Sequence, residues 1–474
     1  FRSMGDIDAI FKSYDIRGLY PQEIDSEACG NIGQAFYHFL DQEGEWGSNQ
    51  RILVGYDMRP SGEELATAFI QEFVTKGIEV VSLGLCSTDM LYFASGHYSA
   101  PGVVFTASHN PVEYNGLKLC KSKAVPIGEG SGLERIKILA KDLETEKSGA
   151  KRLLREKIRR SPLGELRKVN VLEDFVSHAL GFIAIENLKE FQVVADTANG
   201  MGGLIAPAVF EKIPPNLQLL YGELDGTFPN HPADPLNPEN LVDLKKEVLD
   251  KSADIGLAFD GDADRVFLID ELGMPLSGST TTAIVAEGVL AKEPKASIIY
   301  NLICSRIVKE TVISKGGNPI RSRVGHSHIK KMMADTNSAF GGEHSGHYYF
   351  RDNFYADSGI IAALIVLEQM SLQQVPLSKL RKNYEIYFST GELNFEIHNT
   401  GALLDALANE FNDQDQDTLD GLTVSSKDWW FNLRPSNTEP LIRLNLEAKS
   451  ETIRNEKLKF IKEIISDFRS SDAK

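Results

Sequence analysis

Apolar runs of strand length, each stopping at a polar loop, recur along this chain and restrict it to folds in which buried strands alternate with helices. Arg51–Tyr56 (RILVGY) reads as a buried strand. Leu65, Phe69 and Phe73 follow at i, i+4 and i+8 and give one apolar helix face. Ser61-Gly62-Glu63-Glu64, ahead of them, has the Ser-x-x-Glu spacing of a capping box. Val80–Leu83 is the next strand, and Val103-Val104-Phe105 runs straight into a loop around Ser108. A second unit begins near residue 165. Its strand Phe191–Ala195 ends in Asp196-Thr197-Ala198-Asn199-Gly200, and its strand Ile255–Phe259 ends at Asp260. A third unit holds Ser297–Tyr300, a helix from about Ser305, Asn318–Val324, a helix from Ser327, and Ala339–Gly341. In each unit polar side chains begin where an apolar strand stops, which is where open α/β sheets place their ligands. The architecture repeats threefold without a convincing repeat of sequence.

The tail breaks the pattern. A polar, acidic stretch, Asn412–Asp420, precedes Trp429–Leu433, then strand Leu441–Leu446 and a closing helix, which together describe a smaller α+β domain. A chain of 474 residues is too long for one core. Such a length calls for roughly three to four domains of about 100–150 residues. The expected division is 1–164, 165–271, 272–385 and 386–474.

Four polar loops carry the chemistry. Thr106-Ala107-Ser108-His109-Asn110-Pro111 offers a hydroxyl nucleophile, which needs activation or positioning to react. Pro111 biases Asn110 toward extended backbone, so the serine sits on a stiff loop, although the same residues also describe a plain capped turn. In Asp260-Gly261-Asp262-Ala263-Asp264-Arg265, three carboxylates within five positions repel one another unless a cation lies between them. Oxygen ligands suit Mg²⁺ or Mn²⁺ rather than zinc. A calcium hand-type loop is disfavoured because Arg265 stands where that loop needs glycine. A strand running into Asp-x-Asp is also the arrangement of a phosphatase with Asp260 as its nucleophile. In Gly342-Glu343-His344-Ser345-Gly346-His347, the side chains of Glu343, Ser345 and His347 share one face if the loop is extended. A carboxylate and a hydroxyl suit paired sugar hydroxyls, and His347 is able to shuttle protons near neutral pH. Arg434-Pro435-Ser436-Asn437-Thr438-Glu439-Pro440 gathers donors that suit a phosphate, and also reads as a capped turn before the next strand.

Smaller pieces accompany them. Tyr14-Asp15-Ile16-Arg17-Gly18 reads as a turn carrying a cation, and Lys118 follows Tyr114-Asn115-Gly116. The segment 55–62, which contains Asp57-Met58-Arg59-Pro60, either supplies donors or caps the helix behind it, and the cap is the favoured reading. Trp429-Trp430 is read as packing, and His328 and His344 as structural.

The net charge of −17 gives no general attraction for nucleic acid or an anionic membrane. An anionic substrate must then be met by a local basic pocket, for which Arg17, Lys118, Arg265 and Arg434 stand in or beside the loops. No apolar run approaches the ~20 residues of a membrane helix, and the start of the sequence lacks a signal-peptide pattern. Cys29, Cys86, Cys120 and Cys304 are far apart and suit free thiols in a reducing, cytoplasmic setting.

With these motifs in this order, the chain resembles the α-D-phosphohexomutase superfamily, and within it the phosphomannomutase/phosphoglucomutase branch. The resemblance implies three related α/β domains with mixed sheets plus a smaller C-terminal α+β domain around a central cleft. It implies interconversion of hexose 6-phosphate and 1-phosphate, with mannose ahead of glucose, through a phosphoserine and a hexose 1,6-bisphosphate. Carried over by residue, Ser108 is the phosphoserine, and Asp260, Asp262 and Asp264 with the serine phosphate hold one Mg²⁺. Glu343 and Ser345 bind the sugar's hydroxyls, while Arg434, Ser436, Asn437 and Thr438 grip the non-reacting phosphate. Tyr14 lies on the substrate side. Arg17, His109, Lys118, Arg265, His326 and His347 line the reacting end, with His347 or Lys118 handling protons. The expected partners are small sugar phosphates, with neither nucleic acid nor membrane. One departure stands out. Where relatives often carry Arg or Lys, this chain reads Tyr300-Asn301-Leu302-Ile303-Cys304-Ser305, so a cation that orients substrate is either missing or replaced by Arg306 or Arg323. A phosphatase and a catalytically silent sugar-phosphate binder are the competing readings.

Overall fold

The computed structural model describes residues 7–47, 49–145, 162–436 and 440–472. Four sheets follow one another along the chain. The first runs Ile16–Leu19, Tyr114–Lys121, Gly102–Phe105, Arg51–Tyr56, Glu79–Leu85 and Leu166–Lys168 in spatial order, with Val125–Pro126 pairing off that path. Arg51–Tyr56 is parallel to both its neighbours, whereas Tyr114–Lys121 is antiparallel to Gly102–Phe105 and to Ile16–Leu19. Every position of Gly102–Phe105 is buried, as its unbroken apolar run requires. Leu166–Lys168 hydrogen-bonds to Glu79–Leu85, so the chain closes the first sheet before it starts the second.

The second sheet orders Val266–Asp270, Ile255–Phe259, Gln192–Asp196 and Asn216–Leu220, with only the Val266–Asp270 pairing antiparallel. The third orders Asn318–Ser322, Ser297–Asn301, Phe340–Gly342, Tyr348–Phe350 and Ala356–Asp357, parallel on one side and antiparallel on the other. The fourth is antiparallel throughout: Phe388–Glu396, Leu441–Ala448, Trp429–Pro435, Leu422–Ser425 and Asp415–Asp417. The helices Thr400–Glu410 and Glu451–Asp472 belong to this last unit. Mixed sheets in the first three units and an antiparallel α+β unit at the end agree with the fold expected from the sequence. Among the described residues no single helix is long and apolar enough to cross a membrane.

The cores show which units are packed together. One buried apolar cluster runs through the first three units, from Leu53 and Leu91 through Phe175 and Leu257 to Ile298 and Leu364. The fourth unit has a separate core built on Phe431, Leu444 and Ile461, and Trp429 belongs to it. Its seam with the third unit is polar. Arg306 donates to the carbonyls of Ser426 (2.5 Å), Lys427 (3.0 Å) and Trp429 (3.2 Å). Arg321 donates to Asp417 and Thr423, and the Val324 amide to Asp420 at 3.1 Å. The cation sought in Arg306 is therefore committed to this seam. Arg323 is exposed, and Ile303 is buried.

The capping box does not form. Ser61 already has helical backbone (φ −81°, ψ −8°) and makes no cap bond. Its Oγ accepts from Asn115 Nδ2 at 2.7 Å, and Glu64 turns away to Tyr20 and Ser26. Tertiary partners outweigh a local bond that would contribute only about 1 kcal/mol.

Candidate active site

The aspartate loop follows Ile255–Phe259 directly. Asp260, Asp262 and Asp264 are 0%, 0% and 3% exposed, and each offers an oxygen within 4.8 Å of the others. Asp262 Oδ1 and Asp264 Oδ1 are buried with no hydrogen-bond partner among the described residues. Buried carboxylate oxygens left without donors are costly, and an all-oxygen set of this kind fits a hard divalent cation. The opposite faces of the two carboxylates meet Lys118, whose Nζ lies 2.6 Å from Asp262 and 2.9 Å from Asp264. Burial works against that ammonium, but the two carboxylates outweigh it and hold its pKa well above the ordinary lysine value. Asp264 is likewise desolvated, yet Lys118 brings it below the usual range. For Asp260, burial and then Asp264 push the carboxyl well up, against the pull of Arg265.

The serine loop meets this cage across the boundary between the first two units. Ser108 Oγ lies 3.3 Å from Asp260 Oδ2 and 3.5 Å from His109 Nδ1. The approach depends on Gly261, where a Cβ would stand 2.3 Å from the Ser108 carbonyl. Ser108 itself has φ 52°, the left-handed region. A non-glycine residue held there costs on the order of 1–3 kcal/mol and persists only where its surroundings over-determine it. Arg265 donates from Nε to Asp260 at 2.8 Å and from Nη2 to His109 Nδ1 at 3.0 Å. Because a guanidinium only donates, His109 Nδ1 is unprotonated. Burial, then the Arg265 charge, bring this histidine to about 4. Arg17 Nη1 donates to Asn110 Oδ1 at 2.8 Å, and its guanidinium pairs with Asp15. Arg17 belongs to the edge strand Ile16–Leu19, not to the turn expected from the sequence.

The third loop departs from its expected form. Residues 343–347 are not extended. They form a tight hairpin turn between Phe340–Gly342 and Tyr348–Phe350, closed by the Glu343 amide on the His347 carbonyl (3.0 Å). Glu343 and His347 thus face each other across the turn, while Ser345 is half-buried at its tip. Glu343 accepts from Tyr349 Oη (2.6 Å), the Gly325 amide (3.1 Å) and Asn301 Nδ2 (3.4 Å), which fixes its carboxylate. His347 Nδ1 bonds Asp357 at 2.9 Å. Burial opposes its charge, but Asp357 raises its pKa above the ordinary value. Asp264, His347 and Asp357 also lie within 4.8 Å of one another, so this loop joins the aspartate cage.

His326 lies against Tyr14 with ring centroids 4.6 Å apart. Gly325 permits this, since a Cβ there would stand 2.4 Å from Tyr14 Oη. Burial and then Lys330 bring His326 to about 3, so it stays neutral. His344 is similarly lowered to about 3 by burial, then Arg434, and its Nδ1 accepts from Asn301. In the fourth loop Arg434 is largely buried, with Nη1 and Nη2 each 3.9 Å from the carboxylates of Asp420 and Glu392. The Ser436 amide bonds the Leu441 carbonyl at 2.8 Å. Asn437 and Thr438 lie outside the described residues. Asp420 carries both Arg434 and the Val324 amide, which links this loop to Gly325 and His326.

Two features escaped the sequence. Arg59, read as part of a helix cap, is instead buried beneath the serine loop. His231, on the loop after Asn216–Leu220, bonds Asp196 Oδ2 through Nε2 and the Pro232 carbonyl through Nδ1, each at 2.7 Å. Both acceptors favour the imidazolium. Burial lowers the pKa of His231, but Asp196 and the carbonyl bring the net value above normal. The resulting stabilisation is fully present below the unfolded pKa of about 6.5 and is lost as pH rises through the raised folded value. On calorimetric scans from about pH 6 to 9, the wild type is expected to lose stability relative to His231→Asn. Parallel stability curves for the two proteins would contradict this.

Comparison with known proteins finds matches along nearly the whole chain. Family models match all four units: phosphoglucomutase/phosphomannomutase alpha/beta/alpha domain I over residues 8–146, domain II over 173–273, domain III over 277–387 and the C-terminal domain over 392–461. The chain is 36% identical to a phosphomannomutase of Methanocaldococcus jannaschii, covering 98% of this chain and 99% of the relative. It is 35% identical to a phosphomannomutase of Salmonella typhimurium, covering 93% and 95%. The solved structure of a phosphoglucomutase/phosphomannomutase family protein from Burkholderia thailandensis superimposes with a TM-score of 0.83 at 29% identity, covering 98% and 97%.

Proposed function

The chain belongs to the phosphoglucomutase/phosphomannomutase family, and from that premise we propose that it interconverts hexose 6-phosphate and hexose 1-phosphate, with mannose the preferred sugar and glucose second. The observation that carries this reading is the meeting of Ser108 Oγ with Asp260 at 3.3 Å, beside two buried carboxylate oxygens that lack donors among the described residues.

Ser108 is the phosphoryl carrier. A P–O bond at its Oγ breaks as one forms at the free sugar hydroxyl, giving a hexose 1,6-bisphosphate. The bisphosphate turns end over end, and its other phosphate returns to Ser108. Asp260, Asp262 and Asp264 would hold one Mg²⁺, which would offset charge on the phosphoryl group. Arg265 and Arg17 add positive charge on the protein side. His347 takes the hydroxyl proton at Nε2, because its Nδ1 is held by Asp357 and its basicity is raised. Lys118 is the poorer base, since Asp262 and Asp264 keep it protonated. Glu343 and Ser345 read hydroxyls near the middle of the sugar, which serve both orientations. Arg434 and Ser436, with Asn437 and Thr438, grip the far phosphate, and the fourth domain hinges closed over it to exclude water. Asp260 makes a poor nucleophile: it is fully buried, and both its oxygens accept from Arg265.

Phosphorus NMR tests the activity. Supplied separately with Mg²⁺ and trace bisphosphate, mannose 1-phosphate is expected to convert fastest to the 6-phosphate, then glucose 1-phosphate, with glucosamine 1-phosphate slowest. Conversion of none of the three would leave a binding protein and end the proposal.

A further inference from the structure

We propose that Arg59 is the positioning residue that keeps the backbone of Ser108 in its reactive, left-handed conformation, and that Phe228 ties this mount to the second domain. The inference rests on Ser108 being the phosphoryl carrier. The Arg59 side chain is 0% exposed. Its Nη1 donates to the carbonyls of Pro111 (2.7 Å) and Tyr114 (2.9 Å), and its Nη2 to those of Ser108 (3.0 Å) and Asn110 (2.7 Å). One planar fork therefore spans the loop from the nucleophile to the start of strand Tyr114–Lys121. A lysine ammonium, with its donors on a single atom, cannot bridge those points together.

Asp57, 0% exposed, lies 3.4 Å from Arg59 Nε, and its Oδ1 accepts the Arg59 amide at 3.1 Å. The other side of the nucleophile is held by Thr106, whose Oγ1 accepts the Ser108 amide at 2.9 Å. Ser108 is thus held on both sides of its φ of 52°, by its amide through Thr106 and by its carbonyl through Arg59. Above the guanidinium lies the ring of Phe228, 5.3 Å from Cζ. That ring belongs to a loop of the second domain, whose Gly226 packs so closely that a Cβ would stand 2.6 Å from Arg59 Cα. Each contact named is with the protein's own loops, so losing the fork alters the phosphoryl-transfer step and leaves sugar binding intact.

The test compares wild type, Arg59→Lys and Phe228→Leu. Two quantities are measured: the single-turnover rate at which hexose 1,6-bisphosphate phosphorylates Ser108, followed by intact mass, and the steady-state kcat and KM. For Arg59→Lys both the phosphorylation rate and kcat are expected to fall about 100-fold, the size of effect that a misplaced reacting atom brings. KM is expected to stay within about threefold, the pattern of an interaction made on the way to the transition state. For Phe228→Leu the expected fall in both rates is about fivefold, from loss of a cation–π contact between the half-buried ring and the buried guanidinium. A residue that only stabilised the fold would reduce the active fraction and leave the rate constant per folded molecule unchanged. Folded Arg59→Lys phosphorylating at the wild-type rate would overturn the proposal. Should that variant not fold, Phe228→Leu decides: a fivefold slower rate supports the mount, and a wild-type rate overturns it. A wild type that takes up no phosphoryl group removes the carrier reading itself, and this inference with it.

Discussion

Ser108→Ala is expected to lose phosphoryl exchange by roughly four orders of magnitude or more, as removal of a covalent nucleophile does. The hydroxyl oxygen stands both at the aspartate cage, 3.3 Å from Asp260, and beside His109 at 3.5 Å. Alanine tolerates the left-handed backbone about as poorly as serine, so the loop and the melting temperature should change little. The loss is then chemical. Exchange of label between hexose 1-phosphate and the bisphosphate measures it directly. Inorganic phosphate release distinguishes the competing chemistry, because a phosphatase built on Asp260 would keep hydrolysing in this variant. Retained isomerisation in Ser108→Ala would dismiss the carrier outright.

The second large effect concerns the cage. Asp262→Asn is expected to lower turnover about 10³-fold, in line with removing a principal electrostatic stabiliser, and to abolish calorimetric Mg²⁺ binding. Asp262 is the shared acceptor of the site: Oδ2 receives Lys118 at 2.6 Å and the Thr88 hydroxyl at 2.5 Å, while Oδ1 has no donor among the described residues. Asparagine would keep the shape but present an amide hydrogen to one side. Chelation of the wild type with EDTA should mimic the loss, and added Mg²⁺ should restore turnover in the wild type alone. Undiminished activity in the chelated wild type would rule the cage out of the reaction.

Legibility of the fold and site in the sequence followed burial. Ile255–Phe259 was bounded correctly at both ends because five consecutive buried positions leave an unbroken apolar run that stops where the carboxylates begin. The loops that carry the candidate site were visible for the same reason, since each lies at the end of such a run. Features that depend on distant partners were not visible. Arg59 reaches carbonyls 49 to 55 residues away, and nothing local marks a guanidinium that will be fully enclosed. Ser61 offered a capping signal, but the hydroxyl was taken by Asn115, 54 residues on. Alternation at Glu343, Ser345 and His347 suggested an extended loop, whereas the paired strands on either side force a hairpin. Arg306 looked like a substitute for a missing substrate cation and instead fastens the fourth domain to the third.

That fastening has a kinetic consequence. Hydrogen bonds from Arg306, Arg321 and Val324 are exchangeable: each donor released by a swing of the fourth domain finds a water in place of its carbonyl or carboxylate. Oily surfaces held face to face would have to be wetted before they parted, and the molecule would stay shut between cycles. On the proposed mechanism the ligand's own grip on Arg434 would set how long such a gate stays closed, and a sugar anchored at both ends by phosphate would be detained longer than one anchored at a single end.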